Sequence, residues 1–131
     1  MELFNEQLRQ AILNEYQDYH FYRSMFKLTD DPYSQGFIEH IYEDEKSHYE
    51  MFQQLYYMLT GTFVQNFPEP ILCTDLEECL KNAIKDELEA AELYKEMVLQ
   101  IPIQQAYAPL FVAMHDETEH AIRLTTLLHL L

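Results

Sequence analysis

Two short segments of the 131-residue chain carry one pattern, Asp44-Glu45-Lys46-Ser47-His48 and Asp116-Glu117-Thr118-Glu119-His120, related by an offset of 72 in the numbering. Each contains Glu-x-x-His. Residues three apart share a face of a helix, so each segment can aim a carboxylate and an imidazole at one point in space. The same offset of 72 relates Glu15 to Glu87, and each precedes the glutamate of its Glu-x-x-His by an equal interval. It also relates Asp44 to Asp116, Tyr22 to Tyr94, Leu8 to Leu80, Ile12 to Ile84 and Leu55 to Leu127. The pattern is an internal repeat of two hairpins.

Apolar periodicity places these residues on helices. Leu8, Ile12, Tyr16, Tyr19, Tyr22 and Phe26 recur at three-to-four spacing, which predicts a first helix over 3–28. Asp30-Asp31-Pro32 interrupts it, and a second helix over about 33–60 ends where Gly61 can adopt a left-handed conformation. A connection with Pro68 and Pro70 follows, and Thr74 with Glu77 has the spacing of a capping box for a third helix over 75–99. Pro102 separates this from a fourth helix over 104–130. Helices of about 26 residues are near 39 Å long, and an extended 14-residue connection spans at most about 50 Å, so the middle connection can traverse a bundle. The expected fold is all-α: two antiparallel hairpins joined by a long crossover in one domain, 1–131.

Composition agrees and excludes several functions. Two glycines are too few for a hairpin-rich β fold or a glycine-lined phosphate cradle, and ten Tyr with eight Phe supply enough apolar surface to oppose disorder. The formal charge of −15 repels phosphate backbones and anionic lipid heads, so neither a nucleic acid nor a membrane is an expected partner. The start has no basic segment leading into an apolar run, and no apolar stretch reaches about 18 residues; the reading is of a cytoplasmic protein. Cys73 and Cys79 lack Cys-x-x-Cys spacing and are expected to be reduced packing residues.

Glu15 sits among Ile12, Tyr19 and Tyr22, and Glu87 lies on a stripe with Leu80, Ala83, Ile84 and Tyr94. Four glutamates and two histidines turned inward would make an unstable charged core, whereas two divalent cations offset four carboxylate charges. One Glu from each of two helices plus Glu-x-x-His from each of the others is a two-metal arrangement. Glu15 and His48 are expected to bind one ion and Glu87 and His120 the other, with Glu45 and Glu117 bridging. Mixed carboxylate and imidazole donors suit iron; manganese is compatible, and zinc can occupy such a site during purification.

At these residues the chain resembles the ferritin-like superfamily, most closely the di-iron domain of rubrerythrin-like proteins, over almost its whole length. The resemblance implies a ferritin-like four-helix bundle and an oxidoreductase that reduces peroxide or dioxygen at a carboxylate-bridged di-iron site with an unidentified electron donor. It implies that Tyr22 and Tyr94 hydrogen-bond ligand carboxylates, while Asp44 and Asp116 are placed to orient histidines of neighbouring helices through the second ring nitrogen. Two departures weaken the transfer of peroxidase activity: the glutamate that rubrerythrin-like centres carry three residues after the third-helix ligand is Ala90 here, and the four-cysteine rubredoxin domain is absent. Iron binding or storage without efficient turnover, or a manganese catalase-like activity, are the alternatives. With no further terminal helix, a monomer or homodimer is expected rather than a cage. Glu89, Glu92 and Glu119 are expected to be solvated, and His20, His40, His115 and His129 have no paired spacing.

Overall fold

Asp31 and Pro32 turn the chain from its first helix into its second. In the computed structural model, which describes all of residues 1–131, α1 spans Glu2–Phe26 and α2 spans Pro32–Thr60. The Asp31 carboxylate accepts from the backbone N–H groups of Tyr33 (3.4 Å) and Ser34 (3.2 Å). Two donors that helical geometry leaves bare are thereby satisfied, and Pro32 stands in the first turn, where no N–H is needed. Gly61 closes α2 at φ 82°, a conformation that costs a residue with a Cβ, and its N–H reaches Tyr57 O at 2.7 Å.

The second hairpin joins α3, Leu76–Val98, to α4, Tyr107–Leu130. Asp75, not Thr74, caps α3 by accepting from Glu78 N–H at 3.3 Å. The cap falls one position later than the Thr74–Glu77 spacing indicated because Asp75–Glu78 offers the same offset with an equally good capping side chain. Glu77 and Glu78 then occupy the first turn, at the positive end of the helix dipole. The predicted fourth helix starts as a tight 3-10 turn, Gln104–Ala106, before the α-helical geometry that tolerates Pro109 in its first turn.

α1 packs along α2 and α3 along α4, while the hairpins meet more lightly through α2–α4 and, least, α1–α3. Two apolar clusters fill the interior. One gathers Leu8 and Ile12 from α1, Phe52 and Leu55 from α2, Tyr94 and Met97 from α3, and Leu110 and Ala113 from α4. The other gathers Tyr22 and Met25, Ile38 and Ile41, Leu80 and Ala83, and Leu124 and Leu127. The start of α1 and the ends of α2 and α3 thus share one end of the bundle, so α2 and α3 run parallel and the fold is two hairpins joined by a crossover, a ferritin-like topology.

The crossover, 61–75, is fastened by side-chain amides that imitate strand pairing. Gln53 donates to Val64 O at 3.0 Å and accepts from Val64 N–H at 2.8 Å; Gln17 does the same for Ile71 at 2.7 and 2.9 Å. Val64 is buried in one apolar cluster and Cys73 in the other, so the segment runs from end to end of the bundle. Cys73 and Cys79 form a disulfide, with Cα atoms 6.1 Å apart, which overturns the expectation of reduced thiols. The start of α3 falls between them: Asp75, its extended N-cap, follows Cys73 and precedes the first helical turn, which carries Cys79.

Candidate metal centre

Between the two apolar clusters every helix changes chemistry at its middle. On α1 Glu15 separates Ile12 from Tyr22; on α2 Glu45 and His48 separate Ile41 from Phe52. Glu87 lies between Ala83 and Tyr94 on α3, and Glu117 and His120 lie between Ala113 and Leu124 on α4. All six polar side chains are at most 1% exposed. Helical spacing of three to four residues puts them on the same stripe as the flanking apolar side chains, and the bundle closes over them.

The structure brings these six together as two groups of four ligating atoms, each group lying within 4.8 Å: Glu15, Glu45, His48 and Glu117, and Glu45, Glu87, Glu117 and His120. Glu45 and Glu117 belong to both. His48 Nδ1 lies 3.4 Å from Glu15, 3.3 Å from Glu45 and 3.4 Å from Glu117. His120 Nδ1 lies 3.1 Å from Glu87, 3.4 Å from Glu45 and 3.2 Å from Glu117. Both carboxylate oxygens of Glu45 and of Glu117, Glu15 Oε2 and His48 Nδ1 are buried without a hydrogen-bond partner. Buried polar atoms are normally satisfied, and this many orphans around one point fit a bound cation. The donor set and its geometry are consistent with di-iron coordination.

Outer contacts repeat the twofold relation of the sequence. Tyr22 on α1 donates to Glu87 on α3 at 2.7 Å, and Tyr94 on α3 donates to Glu15 on α1 at 2.6 Å. Asp116 on α4 lies 2.7 Å from His48 Nε2, and Asp44 on α2 lies 2.8 Å from His120 Nε2. A carboxylate at Nε2 takes the ring N–H, which leaves Nδ1 of each histidine directed at the glutamates.

The charges of the cluster are in conflict without cations. Burial, and then repulsion from Glu117 and Glu15, raises the Glu45 carboxyl well above the ordinary carboxylate range; burial, Glu87 and Glu15 do the same to Glu117. Burial works against charge on the histidines, but the surrounding carboxylates outweigh it. Glu15 and Asp116 hold His48 well above 6.5, and Asp44 and Glu87 hold His120 up to about 11. Protons therefore neutralise the cluster where cations do not.

Asp18 lies outside both groups of ligating atoms but next to them, and sequence reasoning misses it. It lies one turn beyond Glu15 on α1, and its carboxyl is raised well above 3.8 by burial and by Glu87 and Glu15. Its offset of three from Glu15 is the offset of Glu-x-x-His and is the signal that could have found it. Two cavities of about 500 and 430 Å³ adjoin it along the α1–α3 seam, and Asn14, Gln17, Asp18 and Asp86 line both. Tyr22 lies in the first and Tyr94 in the second.

Other polar residues stay outside. The side chains of Glu89 and Glu92 are 66% and 70% exposed, in contact with Lys85 and Lys95. Glu119 is more enclosed than a solvated charge, 3.0 Å from Arg123 and 3.2 Å from His40. His115 is exposed, His20 packs on Tyr16 and Tyr19, and His129 lies in the exposed last turn.

No family model matches the chain, and no curated protein matches its sequence. A solved structure of a hypothetical protein from Pyrococcus furiosus is similar to it, with a TM-score of 0.83 at 20% identity over 97% of this chain and 89% of that one. Likeness at that identity is likeness of fold. Fold and site together define the class: an all-α four-helix bundle of ferritin-like topology with two buried, glutamate-sharing Glu/His clusters. No helix is long and apolar enough to cross a membrane.

Proposed function

We propose that this chain is an iron-binding protein that holds two ions in its core. Glu15 and His48 bind one, Glu87 and His120 the other, and Glu45 and Glu117 span both. The observation that carries the reading is the set of orphaned atoms: five carboxylate oxygens and one imidazole nitrogen, buried in one layer with no hydrogen-bond partner. Two divalent cations offset the four glutamates, and the same donors accept manganese. Iron bound there supplies one-electron redox chemistry. The protein's own part is to hold ligands and exclude water. Tyr22 and Tyr94 fix one oxygen each of Glu87 and Glu15, Asp44 and Asp116 fix the histidine rings, and the apolar clusters seal both ends.

A second reading, reduction of peroxide or dioxygen with an external electron donor, is favoured by the α1–α3 cavities, which are wide enough for small molecules and are lined by Asp18 and by Tyr22 or Tyr94. Anaerobic ferrous titration with metal analysis tests the main reading. Two irons per chain, lost in E45Q/E117Q, support it; uptake no greater than that of the double variant overturns it. Reductant-dependent peroxide consumption above that of free iron supports the second reading, whereas loaded protein without turnover excludes it.

A further inference from the structure

The six inward side chains are at most 1% exposed, so an ion reaching them must pass between helices. The hairpins α1–α2 and α3–α4 are closely packed, and of the two seams between hairpins α1–α3 is the lighter. Both cavities beside the centre lie on this seam, and no lysine or arginine lines either. Carboxylates do: Glu69 at the outside of one, Glu89 at the other, and Asp86 and Asp18 in both. A cleft lined by one sign of charge between low-dielectric walls concentrates counter-ions and speeds their arrival.

Asp18 sits at the inner end of this line. It is part-buried, lines both cavities, and stands one turn along α1 from fully buried Glu15. No basic side chain pairs with Asp18, so its charge faces the cavities uncompensated by the protein. The repeat is broken here as well. Glu15, Tyr22, Asp44, Glu45 and His48 all have counterparts at the offset of 72, but the counterpart of Asp18 is Ala90, which faces the same cavity.

We propose that Asp18, assisted by Asp86, receives divalent cations entering along the α1–α3 seam and passes them to the buried glutamates. The inference rests on the two-ion reading above and adds the route. Cobalt(II) uptake by the full apo chain, followed by stopped-flow absorption, tests it in the wild type, D18N, D18A and D86N, with far-UV circular dichroism as the check on folding. Wild-type uptake slows as ionic strength rises, and D18N slows it by at least about tenfold. Two ions are still bound at equilibrium with an unchanged cobalt spectrum, and D86N slows uptake less. Wild-type rates in folded D18N and D18A overturn the proposal, as does D18N holding one ion fewer, which would make Asp18 a resident ligand. Should the Asp18 variants not fold, salt-independent wild-type uptake overturns it alone. Wild-type protein that binds no cobalt overturns the two-ion reading itself.

Discussion

Asp116 on α4 lies 2.7 Å from Nε2 of His48 on α2, and the converse contact, Asp44 on α2 to His120 on α4, measures 2.8 Å. Each hairpin therefore orients the imidazole of the other. Desolvation opposes the charge of half-buried Asp44, but the bond from His120 and the charge on that ring lower its carboxyl below the ordinary range, so it stays ionised and keeps the ring N–H. D116N retains an acceptor without the charge and should weaken the ion at His48 by about 10–100-fold; D44N should do so at His120. Chelator competition checks this, with one weakened ion in each single variant and two in the double variant.

Without metal, the centre should be more stable with protons than without them. Glu45 and Glu117 are raised above 4.5, first by burial and then by neighbouring carboxylates, and His48 and His120 are raised above 6.5 by surrounding carboxylates that outweigh burial. A group with a raised folded value stabilises fully below its unfolded value and less as pH climbs through the folded one. All four carry the same sign, so apo stability falls as pH rises above about 4.5, and again above about 6.5 as the histidine contribution starts to be lost toward about 11. Loading at neutral pH should release protons. Denaturant titration of apo protein at pH 5 and pH 8 shows the decline. E45Q/E117Q should flatten it and raise the neutral-pH apo Tm by about 3–8 °C while abolishing the gain from metal.

That the polar layer is legible in the sequence follows from its redundancy. Glu15, Glu45 and His48 each have a copy at the offset of 72, and several copies of one offset are hard to obtain on a solvated face. Asp18 is less legible because the repeat, which gives weight to the others, is broken at Ala90. Its meaning comes from the lightly packed α1–α3 seam, a property of helix packing that periodicity does not encode. The disulfide is hidden for a related reason. The separation of Cys73 from Cys79 says nothing until the Asp75 cap fixes where α3 begins and how Cys73 turns back on Cys79.

Tyr22 and Tyr94 are held protonated by burial and by the charges of Glu87 and Glu15, which raise both phenols well above 10. Their contribution to stability is complete below about 10 and declines as pH rises through the folded values. Ultraviolet titration should find two of the ten tyrosines silent until the bundle unfolds. Y94F leaves buried Glu15 Oε1 without its donor at 2.6 Å, and a buried acceptor left unsatisfied costs about 1–3 kcal/mol. Denaturant titration of metal-free Y94F should show a loss of that order, with Y22F alike.

The disulfide links the end of the crossover to the first turns of α3, and Cys73 N–H is held by Ser24 Oγ of α1 at 2.8 Å. Cys73 is also buried in the apolar cluster with Met25 and Leu80, so the bond fastens a segment that already has native contacts. Its contribution then comes chiefly from restricting the unfolded chain, and a loop this short is worth about 2 kcal/mol on chain-entropy grounds. C73S/C79S should lose about that much in denaturant titration, and reductant should lower the wild type, but not the double variant, by a similar amount. Because no cysteine belongs to either group of ligating atoms, both proteins should still bind two metal ions per chain. Equal stability of the wild type with and without reductant would contradict the link.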